Sequence, residues 1–123
     1  PWLPIPDAHT SATVESQLLD KSSVLNSFKN ILSWRKKHPE LINGSISFKA
    51  LREPLLSFVR QNKTNSLFLV FNLSSKKEKF NLLDLDLSGH QIEFDNGHGI
   101  GSFTIENDEV ELQGFSLFVA IKK

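Results

Sequence analysis

Residues 23–41, SVLNSFKNILSWRKKHPEL, repeat apolar positions at three- and four-residue spacing and then stop abruptly. Val24, Leu25, Phe28, Ile31 and Leu32 fall on one stripe, while Lys29, Asn30, Ser33 and Lys36 fall mostly elsewhere, which is the pattern of an amphipathic helix. Asp20, Ser22 and Ser23 offer short oxygens to orphan first-turn amides, so the helix is expected to begin near residue 21 or 23. Lys36, Lys37 and His38 place positive charge at its carbonyl end, and Pro39 disfavours helical geometry at His38. The helix is therefore expected to end close to residue 38. Its stripe needs a surface to bury against.

Beyond the turn signal Asn43-Gly44 the period changes to mostly alternating, in ISFKAL, LLSFVRQ, SLFLVFNL, EKFNL, QIEF, SFTI, EVEL and FSLFVAI. Turn-forming groups separate these segments: Glu53-Pro54, residues 62–65, 74–77 and 95–101, Asn107-Asp108 and Gly114. About eight short strands with no helix-period crossover between them predict a mainly β fold, an antiparallel β-sandwich. Residues 67–71 and 115–121 are the most continuously apolar and are the candidate central strands, covered on both faces. With ten phenylalanines, Phe is expected to dominate the core.

The prolines Pro1, Pro4 and Pro6 predict an extended, aperiodic N-terminal arm over residues 1–12, anchored by Trp2, with a short helical turn allowed within residues 13–19. The division expected is an arm plus helix over residues 1–42 and a β-sandwich over residues 43–123.

At 123 residues the chain fits one domain with an appendage and is too short for the roughly 250 residues of a complete (β/α)8 barrel. Fourteen basic and fourteen acidic residues balance to zero formal charge, which removes the electrostatic footprint of a nucleic-acid partner. The absence of cysteine excludes disulfides and thiolate-ligated metals. No apolar run approaches the roughly 20 residues needed to span a bilayer, so a soluble piece without a membrane partner is expected.

Family-independent chemistry is sparse. Residues 95–99, DNGHG, combine an acid, a His and two glycines but lack the lysine and the strand–loop–helix context of a phosphate loop, so a β-turn connection is expected. His9, His38, His90 and His98 have no short spacing of the kind zinc sites use. Asp84 and Asp86 alternate with leucines and fall on the solvent side of a strand or turn. Glu106, Asp108, Glu109 and Glu111 lack calcium-loop spacing, and Asn107-Asp108 reads as a hairpin tip. Ser116 has no nucleophile elbow around it. No catalytic, cofactor-binding or metal-binding residue is assigned, and no cofactor is expected.

The order of signals resembles the last portion of an α-glucosidase of the α-amylase superfamily, glycoside hydrolase family thirteen. The residues that carry the resemblance are Pro1-Trp2-Leu3-Pro4, Gln17 and Asp20, the helix from Ser23 with Arg35 near its end, His38-Pro39-Glu40-Leu41, Gly44, and a Phe- and Leu-rich sandwich finishing after Gly114-Phe115. Trp34 departs from the pattern, since such helices often carry a smaller aliphatic residue there, and residues 9–12 follow no family pattern.

The resemblance implies that the helix is the last of a catalytic barrel and that the sandwich is the domain called C. The catalytic carboxylates would lie upstream, so this fragment is expected to be inactive by itself. The implied partner is the missing barrel of the same chain, and a cytoplasmic home follows by family analogy alone. Burying the five stripe residues against that barrel would give about 7 to 15 kcal/mol gross. Any part of the stripe left bare predicts self-association through the helix or the Trp2 arm. The alternatives are a carbohydrate-binding module, which needs exposed coplanar aromatics, and a β-sandwich interaction domain.

Overall fold

A computed structural model describes residues 4, 6–10, 12–87 and 92–122. Four helical segments come first, α1 (Asp7–Thr10), α2 (Val14–Leu19), α3 (Val24–Lys36) and α4 (Glu40–Asn43). Eight strands follow: β1 (Ser45–Lys49), β2 (Leu55–Gln61), β3 (Ser66–Asn72), β4 (Glu78–Asn81), β5 (Ile92–Phe94), β6 (Phe103–Glu106), β7 (Glu109–Leu112) and β8 (Leu117–Lys122). Each of the eight alternating segments of the sequence supplies one of them.

All strand pairings are antiparallel, and they build a five-stranded sheet of order β1-β2-β3-β8-β5 and a three-stranded sheet of order β4-β7-β6. The two continuously apolar segments become β3 and β8, central in the larger sheet and buried along almost their whole length. Their alternate residues serve two separate cores, which is why neither strand alternates with polar positions. Between the sheets lie Leu55, Val59, Phe68, Val70, Phe118 and Ala120 against Phe80, Val110 and Leu112, closed at one end by Leu82, Leu85 and Leu87. On the opposite face Leu67, Leu69, Leu117, Val119 and Ile121 pack under Trp34 of α3.

Phe does not dominate these cores. Only Phe68, Phe80 and Phe118 are buried, against eight leucines, and Phe28, Phe48, Phe94 and Phe115 are exposed. Leucine fills the interior because the two sheets are short and their packing is completed by the loop and 3-10 turn at Leu82–Leu85. That turn, capped by the Asn81 side chain, replaces any continuation of β4, and it leaves Asp84 and Asp86 in solvent as expected.

The hairpin tip also matches expectation. Asn107 and Asp108 both take positive φ, 48° and 64°, the backbone that a two-residue hairpin turn requires and that Asn and Asp tolerate best.

The N-terminal region differs from the expected extended arm, because residues Asp7–Thr10 form a helical turn. The amide of His9 closes on the Pro6 carbonyl, so Pro6 sits before a turn whose first amides need no partner. The expectation for Trp2 lies outside the described residues.

Ser23 caps α3, its hydroxyl accepting from the Asn26 amide at 3.2 Å. The helix ends at Lys36, two residues earlier than expected, where the amides of Lys37 and His38 turn back to Trp34 and Arg35. Pro39 then starts α4 rather than leading directly into a strand. A proline lacks only a donor that the first turn of a helix leaves unpaired anyway. Gly44 closes α4 in an extended conformation. A Cβ there would collide with the Glu40 carbonyl and lie 2.8 Å from that of Gln61, so close approach and not φ demands glycine.

Candidate functional site

Two features of the helical region stand apart from ordinary sandwich architecture. The first is the apolar stripe. Val24 is 82% exposed and Phe28 57%, with Leu32 also exposed and Leu25 and Ile31 half-buried. Leu18 and Leu19 of α2 are exposed beside them in sequence. The sole buried residue of α3 is Trp34, near its end, and among the described residues nothing covers Val24 and Phe28 of the stripe.

A polar knot locks α2 onto α3. The Asn26 side-chain amide donates to the carbonyls of Gln17 at 2.8 Å and Asp20 at 2.7 Å, and the Ser23 hydroxyl donates to Gln17 at 2.6 Å. The Gln17 side chain accepts from the Leu25 amide at 3.1 Å and donates to the Ala12 carbonyl. Asp20 accepts from the hydroxyl and amide of Ser22, which hold its carboxyl below the ordinary aspartate range. Gln17 and Asp20, two of the residues on which the family resemblance rests, thus fix the angle between the two helices and present their apolar residues together.

The second feature is a joint where α3, α4 and the β5–β6 loop meet. The Trp34 indole N–H donates to Asp95 Oδ2 at 2.7 Å, and the amide of Gly97 donates to Asp95 Oδ1 at 2.6 Å. His38 stands between two acids, its Nε2 3.0 Å from Asp95 Oδ2 and its Nδ1 3.0 Å from Glu40 Oε1. The indole also packs on both histidine rings, 4.7 Å from His38 and 5.6 Å edge-on to His98.

Glu40 is 1% exposed, and its Oε2 has no hydrogen-bond partner among the described residues. The Arg60 guanidinium of β2 donates to the Glu40 and Leu41 carbonyls, binding α4 to the larger sheet.

Burial works to raise the Asp95 carboxyl, but the donors Trp34, Gly97 and His38 outweigh it and hold the group below the ordinary aspartate range. Burial pushes the His98 imidazole down, only partly offset by nearby Asp95. His98 Nδ1 accepts from the Ile100 amide at 3.0 Å, which leaves the ring proton on Nε2.

The DNGHG segment is therefore a connection, as expected, and it also carries the residue that clamps the helix end. Among the described residues no group of His, Asp and Glu has an arrangement suited to a metal ion. His9 lies exposed in α1, His38 and His98 enter the joint, and His90 lies outside the described residues. Glu109 and Glu111 pair across the small sheet with Lys79 and Lys77, solvated contacts of little energetic weight.

Among the described residues the near-parallel ring pair is Phe58 with Phe71, at 21° and with both rings half-buried. Phe48 meets half-buried Phe58 at 65°, and Phe94 meets Phe103 and Phe118 at 65° and 52°. Sequence reasoning missed the joint because its members are 57 and 61 residues apart, beyond any local pattern.

No family model matches the chain. It is 33% identical over 120 residues to a probable α-glucosidase of Rhizobium meliloti, a match covering 98% of this chain and 21% of that protein. It is 33% identical over 81 residues to a probable oligo-1,6-glucosidase of Bacillus subtilis, covering 65% of this chain and 14% of the relative. Among solved structures, the α-glucosyl transfer enzyme XgtA superposes over the whole chain and 22% of its own length, with a TM-score of 0.84 and 31% identity. The trehalose-6-phosphate hydrolase of Bacillus licheniformis shares the fold at a TM-score of 0.75 and 21% identity, again over 22% of its length. The chain thus spans about a fifth of the proteins it matches.

Proposed function

The chain belongs to the α-glucosidases of the α-amylase superfamily as a homologue of their C-terminal portion, and from that premise we propose that it is a non-catalytic part of such an enzyme. In this reading α3 is the last helix of the barrel and the sandwich is domain C, with the division between them near residue 42. The parent hydrolyses α-linked glucosides with retention, one carboxylate attacking the anomeric carbon and a second donating and recovering a proton. That chemistry needs two accessible carboxyl groups about 5 Å apart. The two acids that converge here, Glu40 and Asp95, are spent on His38 and Trp34, and Glu40 is sealed from substrate.

The observation that carries the proposal is the bare stripe of α3. A helix normally turns its apolar face inward, yet here Val24 and Phe28 face solvent while Trp34, off their stripe, is the one buried residue of the helix. The barrel is the surface that would cover them. Cytoplasmic location belongs to the same proposal and rests on family analogy. No helix among the described residues is long and apolar enough to cross a membrane.

The test is hydrolysis of p-nitrophenyl α-glucoside by the chain alone, and after mixing with a separately expressed catalytic portion lacking it. No turnover alone and restored turnover on mixing are expected. Turnover by the isolated chain would overturn the proposal.

A further inference from the structure

We propose that the open end of the sandwich, between β1–β3 and the turn that ends at Asp86, binds a single neutral sugar ring. The strand register creates the site. Val59, Phe68 and Ala120 point between the two sheets. Gln61, Ser66 and Lys122 lie two residues along from them and point the same way, as does Ser45, paired with Gln61. A covered sheet would carry apolar residues here. Instead one polar row crosses β1, β2, β3 and β8, and Ser47 and Lys49 continue it along the inner side of β1.

The wall facing this row is supplied by Leu85 and Asp86, and a recess of about 200 Å³ stays open between them. That is below the roughly 300 to 1,000 Å³ of sites for drug-sized molecules, which suits one ring and not a chain of them. The recess lies on the face of the larger sheet opposite to the one under Trp34, so it is separate from the stripe that meets the barrel.

Val59, Phe68 and Leu85 are buried and form an apolar floor. Around it stand Ser47, Lys49, Gln61, Ser66, Asp86 and Lys122. Among the described residues none of these six side chains has a hydrogen-bond or ion-pair partner. Asp86 therefore shares the recess with two ammonium groups and pairs with neither.

The lining selects the class of ligand. Asp86 only accepts, the lysines only donate, and the two hydroxyls and the amide do both. A pyranose matches that mixture, because each of its hydroxyls donates and accepts while its C–H face is apolar. A simple anion has no donor for Asp86 and is repelled by it. An apolar side chain would exclude water and leave all six polar groups without partners.

The test is titration of the isotopically labelled 123-residue chain with methyl α-glucoside, a single neutral ring, followed by amide nuclear magnetic resonance shifts. Saturable shifts with a millimolar dissociation constant are expected at Ser47, Gln61, Ser66 and Asp86, with none at Lys79 and Glu109 on the charged outer face of the smaller sheet. Asp86→Asn is the discriminating variant. Asp86 has a φ of 55°, a left-handed backbone that Asn tolerates as well as Asp, so the fold is kept while the acceptor loses its charge. Affinity should fall about tenfold. Asp108→Asn, at the hairpin tip, should leave it unchanged.

Shifts that rise linearly without saturating, or equal affinity in Asp86→Asn and wild type, would overturn the proposal. Saturable binding of inorganic phosphate, strengthened by Asp86→Asn and with no response to the sugar, would also overturn it. Should Asp86→Asn fail to fold by circular dichroism, Gln61→Ala at an exposed strand end gives the second comparison, with several-fold weaker binding expected. Unchanged affinity in that variant would equally overturn the proposal.

Discussion

Replacing Trp34 by phenylalanine removes one hydrogen-bond donor while keeping an aromatic ring at the only buried position of α3. The indole N–H lies 2.7 Å from Asp95 Oδ2, and a bond to a charged acceptor contributes about 1.5 to 3 kcal/mol. Asp95 retains 19% side-chain exposure and two other contacts, so the lower half of that range applies. Loss of the larger ring from above Leu67, Leu117 and Val119 adds to it. The expected total is about 2 to 3 kcal/mol, which for a chain of this size lowers the melting temperature by roughly 6 to 15 °C.

The assay is urea unfolding followed by far-ultraviolet circular dichroism, because the substitution removes one of the chain's two tryptophans and so alters the fluorescence signal itself. The denaturant slope should stay constant while the midpoint falls. Asp95→Asn made alone and with Trp34→Phe closes a double-mutant cycle. A coupling of about 1 to 2 kcal/mol is expected, because the two side chains share one bond. Trp34→Phe within about 0.5 kcal/mol of wild type, or strict additivity in the cycle, would refute the reasoning.

On the acid side, the depressed His98 and Asp95 groups both favour the folded state at higher pH. Stability should fall first as pH drops through about 6.5, where the unfolded His98 takes up a proton, and His98→Asn should flatten that limb in a urea series. It should fall again below about pH 4, where the unfolded Asp95 takes up a proton before the folded one, and Asp95→Asn should make that limb shallower, leaving the part due to Asp20 and Glu111. Val24→Ser and Phe28→Ser should leave the chain's own stability within about 0.5 kcal/mol, since both side chains are exposed, and should diminish any self-association in sedimentation velocity. Gly44→Ala should cost about 1 to 3 kcal/mol by calorimetry, because the methyl group meets two backbone carbonyls.

The strands were legible because each carries its own local signature. A segment such as EVEL alternates cleanly, and the Asn107-Asp108 turn allows little else. The unbroken apolar runs of β3 and β8 revealed a strand buried on both faces. Helix α3 was legible as a helix, but the surface it uses was not. Periodicity marks an apolar stripe without saying what covers it, and Trp34, off that stripe, is the residue that packs. The presence of Trp where a smaller residue is usual was the one sequence signal for this anchor. Glu40 gave no such signal, since a Glu after His-Pro reads as a solvated first-turn acid until Arg60, His38 and the sheet are seen to enclose it. The turn at Asp7–Thr10 was hidden by the prolines before it.

The most direct test of the non-catalytic docking role is the mixing assay with the stripe altered. The chain with Val24→Ser, Phe28→Ser and Leu32→Ser, verified as folded by circular dichroism, would be added to a catalytic portion that lacks this segment. The account predicts that wild-type chain restores hydrolysis of p-nitrophenyl α-glucoside while the altered chain restores little or none. Equal restoration by both would contradict the assignment of the stripe as the face that meets the barrel.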